Sequence, residues 1–470
     1  MKKPSWLYIW SLTLIMSMIL FPVTPAFAAG TGFTTTITYQ NVGLDIAHIT
    51  ILYYPEGQSI PISIARPDLP IGASAMVSIG SLDTSPASFK GSAVIKSDVE
   101  VAVVMTQIPT TVSVKARPMA SATTKGSASV WLLNIVKVTG TTAIISVQNL
   151  DNSPANIKFT FYGGANPVTL SNNNIPAGGS AYANLAEVID LPNLFVGSVL
   201  VESIRAGSNT PGKITGMALY SAGTATGASA TESLTGGGTK IYMPVAMCYA
   251  MGGMSSSYYI FNTDPAQSAT VTVTYNSGKF ETQTLTSRSG RYFNACIPKG
   301  TAAGYSGYAT IKSNSPLILA VGIIKLVGMS ATFAGQSIGA EKLAFPYAMY
   351  STSSYSTGQR SRTNISVMNL GGNLAAGTVK AKYYGKDGKL IGTYSFPAFA
   401  SGVKIDTNAA QLGASGAEFG YYADGTSGGS VMLEGPAGSS LMAVGWVMNV
   451  ASTGVYSGEM YNGIPPVGSP

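Results

Sequence analysis

His48 is the one histidine among 470 residues, and it caps what this chain can do by proton relay. A Ser-His-Asp arrangement needs an imidazole held between a hydroxyl and a carboxylate, so any such site must pass through this single ring. His48 stands just before a β-branched stretch, Ile49 to Tyr54, in the place of an ordinary strand or turn residue. Gly425-Thr426-Ser427-Gly428-Gly429 matches the GxSxG pattern of a nucleophile loop. That loop works at a strand-to-helix turn of an α/β sheet, whereas here it leads into another strand-like segment. Asp151, Asp264 and Asp387 fall in turn sequences, where a carboxylate bonds its own backbone. Calcium takes about six to eight oxygens, usually from clustered carboxylates, and no cluster is visible. No acid pair stands out for glycoside hydrolysis either. The sequence assigns no catalytic residue, no metal site and no cofactor.

Two further residue sets bear on contact, not catalysis. Tyr53-Tyr54, Tyr258-Tyr259, Tyr383-Tyr384 and Tyr421-Tyr422 could build a glycan-stacking surface or a subunit interface. Adjacent strand residues point to opposite faces, which favours one ring in the core and one at the surface. Cys248 and Cys296 are the only cysteines. In an oxidising compartment such a pair most simply forms a disulfide, the alternative being two buried thiols.

The elements that must position these residues are strands. Only 10% of the chain is charged, 46% is hydrophobic, and there are 54 glycines. Ser, Thr, Asn and Tyr supply the polar surface, and weak charge repulsion favours close packing against neighbours. The net charge of +7 comes from scattered Lys and Arg, without the basic stripe that nucleic-acid binding requires. Lys2 and Lys3, the apolar run from Trp6 to Phe21, and Ala26-Phe27-Ala28 read as a cleavable signal peptide over residues 1–28. No second apolar run of about 18 residues follows, so the mature chain is expected to have no bilayer span.

After the leader a segment order recurs. Strands ending in Asn41, Asn149, Asn262 and Asn369 lie 108, 113 and 107 residues apart, the size of an immunoglobulin-like sandwich. Each is followed by a turn, an aromatic-ended strand such as Val271-Thr-Val-Thr-Tyr275, and a Pro/Gly/Ser passage. A Gly-led strand such as Gly91-Ser-Ala-Val-Ile95 and an apolar partner close the unit, giving about seven strands. The expected architecture is all-β: residues 1–28 signal peptide, then four tandem immunoglobulin-like β-sandwich repeats over 29–125, 126–235, 236–338 and 339–470. Gly/Ser/Thr/Ala stretches, Ser221 to Thr239 and Met329 to Gly339, join them as flexible linkers or ordered edge loops.

The leading strand Tyr242-Met-Pro-Val-Ala-Met247, the strand ending in Asn, the aromatic-ended strand and Gly-Ser-Ala-Val-Ile together resemble secreted tandem β-sandwich repeat proteins of bacterial cell surfaces, notably those of Chloroflexi-like lineages. That resemblance covers about four-fifths of the chain and rests on structural motifs. It implies a surface-layer, sheath or filament component, located outside the cell and self-associating. The alternative is an adhesin or a binder of cell-wall or surface glycans.

Repeat one has no room for a leading strand, because the equivalent positions fall in the leader. Such a sandwich exposes an edge that another chain can pair by strand addition. The expectation is head-to-tail assembly in which the tail of one subunit docks on repeat one of the next. Phe33, Thr35 and Ile37 are the candidate residues on one side, and Tyr461, Ile464 and Val467 on the other. The alternative is a shorter first sandwich whose edge is blunted by Gly30 to Thr35.

Overall fold

Alternation of apolar and polar side chains with period two makes half-buried strands, and Ala269–Tyr275 shows it cleanly, burying Val271, Val273 and Tyr275. The structure, a computed structural model, describes residues 33–79, 89–110, 116–123, 125–222, 228–296, 301–326, 329–352, 360–451 and 454–466. The leader, 1–28, and Val467 lie outside them.

Module one contains β1 (Phe33–Asn41), β2 (Ile49–Pro55), β3 (Ile62–Ala65), β4 (Ser74–Ser78), β5 (Gly91–Ser97), β6 (Val101–Pro109) and β7 (Met119–Ser121). Module two contains β8 (Ser129–Lys137), β9 (Thr141–Asn149), β10 (Ala155–Tyr162), β11 (Val168–Ile175), β12 (Ser180–Asn184), β13 (Phe195–Arg205), β14 (Ile214–Ala222) and β15 (Ala228–Glu232). Module three contains β16 (Lys240–Cys248), β17 (Ser255–Asn262), β18 (Ala269–Tyr275), β19 (Phe280–Leu285), β20 (Gly290–Asn294), β21 (Tyr305–Ser313), β22 (Ile318–Leu326) and β23 (Met329–Ala334). Module four contains β24 (Lys342–Phe345), β25 (Arg360–Asn369), β26 (Lys380–Gly385), β27 (Leu390–Ser395), β28 (Lys404–Thr407), β29 (Gly429–Glu434), β30 (Leu441–Ala451) and β31 (Gly454–Asn462), with a 3-10 helix at Ala409–Gly416.

Each module is a two-sheet sandwich with antiparallel pairing throughout. In module two the sheets run β11-β10-β13-β8 and β12-β9-β14-β15, and modules three and four repeat this order. Module one has β4-β1-β6-β7, but its second sheet holds only β3-β2-β5 among the described residues. Modules two to four thus have eight strands, one more than the sequence indicated. In modules two and three the stretches read as linkers account for the difference: β15 and β23 form within them and pair with β14 and β22. Their Ser, Thr and Ala side chains lack an apolar alternation, which hid them as strands.

The recurring asparagine holds each module together. Asn41, Asn149, Asn262 and Asn369 are fully buried. Asn149 Nδ2 donates to the carbonyls of Ser153 (2.9 Å) and Ile175 (3.0 Å), while its Oδ1 accepts from Asp151 N (3.0 Å). Asn41, Asn262 and Asn369 make the same three-way clamp. Their backbone also fixes the turn before the fifth-position strand: Gly72 N, Gly178 N and Gly402 N donate to the carbonyls of Asn41, Asn149 and Asn369.

Each module has an apolar centre, although two are not self-contained. Module three's core takes in Val444, Trp446, Met448 and Met460 of module four. Module four's core takes in Val104 and Met119 of module one. A disulfide joins Cys248, at the end of β16, to Cys296, just after β20, and so ties module three's two sheets at one end.

Replacing Asn149 by Ala leaves the carbonyls of Ser153 and Ile175, both part-buried, and the buried Asp151 N without this partner, and loss of a buried partner costs about 1–3 kcal/mol before relaxation. The expected result is a destabilisation of about 2–4 kcal/mol, read as a lower urea midpoint at unchanged slope.

Candidate functional site

The geometry directs attention to the seams between modules. Strands of a sandwich turn one face to their own core and the other outward, and here the outward faces meet. Trp131 and Leu200 of module two pack on Tyr259, Phe261, Leu319 and Val321 of module three. Tyr242 of module three packs on Met368 and Met442 of module four. Ala344 and Met432 of module four pack on Ala102 of module one. The fourth module therefore closes onto the first, and the four sandwiches form a ring.

The turn held by the buried asparagine receives its neighbour at these seams. Gly72 has φ +75°, a left-handed conformation that favours glycine, and an added Cβ would lie 2.7 Å from the Tyr384 ring. Gly178 has φ +76°, and a Cβ there would lie 2.4 Å from Tyr54. In module three Arg288 takes the same place, and its guanidinium stands 5.3 Å from the Tyr162 ring centre. Ser430 Oγ donates to Gly72 O at 3.1 Å, and Ser92 Oγ donates to Gly178 O at 2.7 Å. The seam from module four to module one thus uses the same contacts as the seam from one to two.

The last strands β7, β15, β23 and β31 meet along the ring axis. Ser121 N donates to the Glu232 carboxylate. Ser229 Oγ donates to Thr332 Oγ1 at 3.2 Å. Asn462 exchanges two bonds with the Ala334 backbone, each 2.9 Å. Ser121 Oγ donates to Asn462 O at 3.0 Å, completing the circuit. Small side chains let these backbones approach closely. Sequence reading missed this site; its signal was the similarity of Ala228-Ser-Ala-Thr231 to Ser330-Ala-Thr332.

One carboxyl beside the axis is poorly accommodated. Glu459 is 1% exposed, and neither of its oxygens has a hydrogen-bond partner. Burial pushes its pKa well above the ordinary carboxyl range. It lines a small cavity with Thr106, Arg117, Tyr347 and Ser361.

The residues singled out for chemistry are dispersed. His48 Nδ1 lies 2.5 Å from Asp98 Oδ2 on the open surface, and that bond raises the imidazole pKa. Ser427 precedes β29, with no helix following, in a turn fixed by Asp424, which accepts from Thr426 N at 2.9 Å. The bonds from Thr426, together with Lys386, hold the Asp424 pKa down to about 2. Asp151 pairs with Arg205 Nε at 2.8 Å. Asp264 accepts from Ala266 N and Gln267 N, and Asp387 from Lys389 N, all within turns. Among the described residues no group of three or more His, Cys, Asp or Glu is placed to hold a metal ion. Of the tyrosine pairs, Tyr53, Tyr258 and Tyr383 enter cores. Tyr54, Tyr259 and Tyr384 go to the seams, a destination that period-two geometry left open. Tyr421 and Tyr422 use their hydroxyls on Ser361 N and Lys386 N.

The assembly candidates occupy other places than the open edge proposed for them. β1, with Phe33, Thr35 and Ile37, pairs β6 along its length and β4 over Thr36–Gln40, so it is a central strand. Tyr461 is buried in β31 of its own module, its hydroxyl donating to Tyr347 O at 2.6 Å. Ile464 pairs with Ala344. Among the described residues β5 pairs with β2 alone, so the edge without a leading strand there is that of β5.

No family model matches the chain, and no curated protein matches it. Among solved structures it has a likeness to the tetra-tandem repeat in the extending region of a large adhesion protein. That match has 11% identity, 93% coverage of this chain and 96% of the other, and a TM-score of 0.12. A score so low carries no structural argument.

A carboxyl kept neutral by burial favours the folded state at acid pH. Its unfolded counterpart ionises first, so stability falls as pH rises above the ordinary carboxyl range. Replacing Glu459 by Gln is expected to raise the melting temperature at pH 7 and to flatten its decline between pH 5 and 8. Thermal unfolding across that range checks both.

Proposed function

We propose that this chain is a non-enzymatic structural protein of the bacterial exterior, a building block of a surface layer, sheath or filament. The observation that carries the reading is the closed ring: the recurring motifs act in mechanical connection. The buried asparagines, the outward tyrosines and the axial Ser, Thr and Asn side chains all hold one module to itself or to the next. The disulfide between Cys248 and Cys296 fits an oxidising location outside the cytoplasm. No helix among the described residues is long and apolar enough to cross a membrane. A charge-poor surface favours lateral packing of one ring against another.

Negative-stain electron microscopy of the purified mature chain tests the proposal. Sheets or fibres with a four-lobed repeat are expected. Rings that stay monomeric at high concentration and retain a specific glycan would replace it with the adhesin reading.

A further inference from the structure

We infer that the seam between modules four and one is where copies of this chain join: it opens, and each freed face then pairs with the complementary face of a second copy. This rests on the self-assembling role proposed above and supplies the contact through which that assembly runs.

Three of the four seams are crossed by the chain itself. Ser121 and Ser129, Glu232 and Lys240, and Ala334 and Lys342 bound the connections between successive modules, eight positions apart in each case. Modules four and one are not consecutive, so non-covalent contacts close their seam. Ser430 Oγ donates to Gly72 O, Ser74 N to Lys386 O at 3.2 Å and Ser121 Oγ to Asn462 O, while Ala344 and Met432 pack on Ala102. This seam can part while the other three stay tethered. Module one's axial strand is also the shortest of its kind. β7 has three residues, all paired with β6, where β15 has five, β23 six and β31 nine.

The two faces are unlike and complementary. Module four presents Tyr384, and module one presents the Gly72 turn that receives its ring. A contact between unlike faces closes a ring when made within one chain and builds an open run when made between chains. The contacts are the same in both cases, so exchanging one for the other costs little. What favours the closed ring is the tether, which holds linked ends at an effective concentration of the order of mM. Copies crowded side by side remove that advantage.

Glu459 stands at this seam and gives it a reason to open. Its carboxyl lines a cavity shared by Thr106, Arg117 and Met119 of module one and by Tyr347 and Ser361 of module four. Both carboxyl oxygens and Thr106 Oγ1 lack hydrogen-bond partners, so Arg117 does not bond the carboxyl whose cavity it lines. The Tyr347 hydroxyl bonds Ser361, and burial keeps it neutral. Beyond Met119, Glu232 of β15 shares the adjoining cavity with Tyr461 and accepts from Ser121 N. Burial raises the pKa of Glu232 as it does that of Glu459. Parting the seam hydrates both carboxyls and lets them ionise. Between the ordinary carboxyl range and the raised values, opening releases a proton from each, so every pH unit favours the open seam about tenfold per carboxyl. Acid closes the ring; neutral to alkaline solution frees its ends.

Disulfide capture between copies tests this. Ala102→Cys and Ala344→Cys are placed in separate preparations of the mature chain; these two buried alanines meet across the seam. After mixing and incubation at pH 5 or pH 8, both samples are oxidised at one common pH and resolved without reductant. Disulfide-linked dimers of unlike chains are expected, at least about tenfold more abundant after pH 8. Adding Glu459→Gln to both chains should remove most of that rise. A chain with both cysteines, oxidised in dilute solution, locks its own ring and should then form no sheets or fibres. Absence of unlike dimers at both pH values, an unchanged pH dependence with Glu459→Gln, or undiminished sheets from locked rings overturns the inference. In the last case the surface-layer reading stands and its interface lies elsewhere. Absence of sheets from the unlocked chain bears on that reading alone, since unlike dimers are counted in solution.

Discussion

Desolvating an amide without partners costs about 2–7 kcal/mol, so a fully buried carboxamide must find its bonds or prevent folding. Each module places one such group at the end of its second-position strand, and each satisfies it from two loops that are distant in sequence. The demand is mutual, because the loops' carbonyls are themselves buried or partly buried. What results is a turn with a fixed shape at one end of every sandwich. That turn is the surface on which the neighbouring module's aromatic ring settles. A bond internal to one module therefore sets the angle between two.

Similar seams between successive modules close a circle, and closure gives the last strand of each module a neighbour on both sides. Ser121, Glu232, Ala334 and Asn462 occupy equivalent positions and meet there. The four are chemically different, so the axis is only approximately symmetric. Beside it lies Glu459, whose carboxyl is buried without a hydrogen-bond partner. The symmetry lapses again at module three, where Asn276 stands in place of Tyr54, Tyr162 and Tyr384.

Much of this was legible in the residues. The asparagine spacing identified four units, and the alternation in Val271 to Tyr275 identified strands with one wet face. Two cysteines in one unit pointed to the disulfide found there. The ring was not legible, for a physical reason. β15 and β23 are dominated by Ala, Ser and Thr, which carry little periodic apolar signal, and Ser229 and Thr332 within them are joined by a hydroxyl bond between modules. Pattern reading detects a side chain leaving the core but not what it meets. Thus Tyr54 and Tyr384 were placed at a surface that proved to be a seam, and Tyr461 was offered to another molecule while its own module holds it.

The seam that joins Ser430 to Gly72 links residues 358 positions apart. Chains emerge from the ribosome at about 5–20 residues per second, so the first sandwich waits roughly 20 to 70 s for the face that will cover Ala102. Throughout that interval an apolar surface made for an intramolecular mate is open to any other nascent copy. A molecule wired this way has good reason to delay its folding until synthesis is finished, and passage through a translocation channel in an unfolded state would impose that delay.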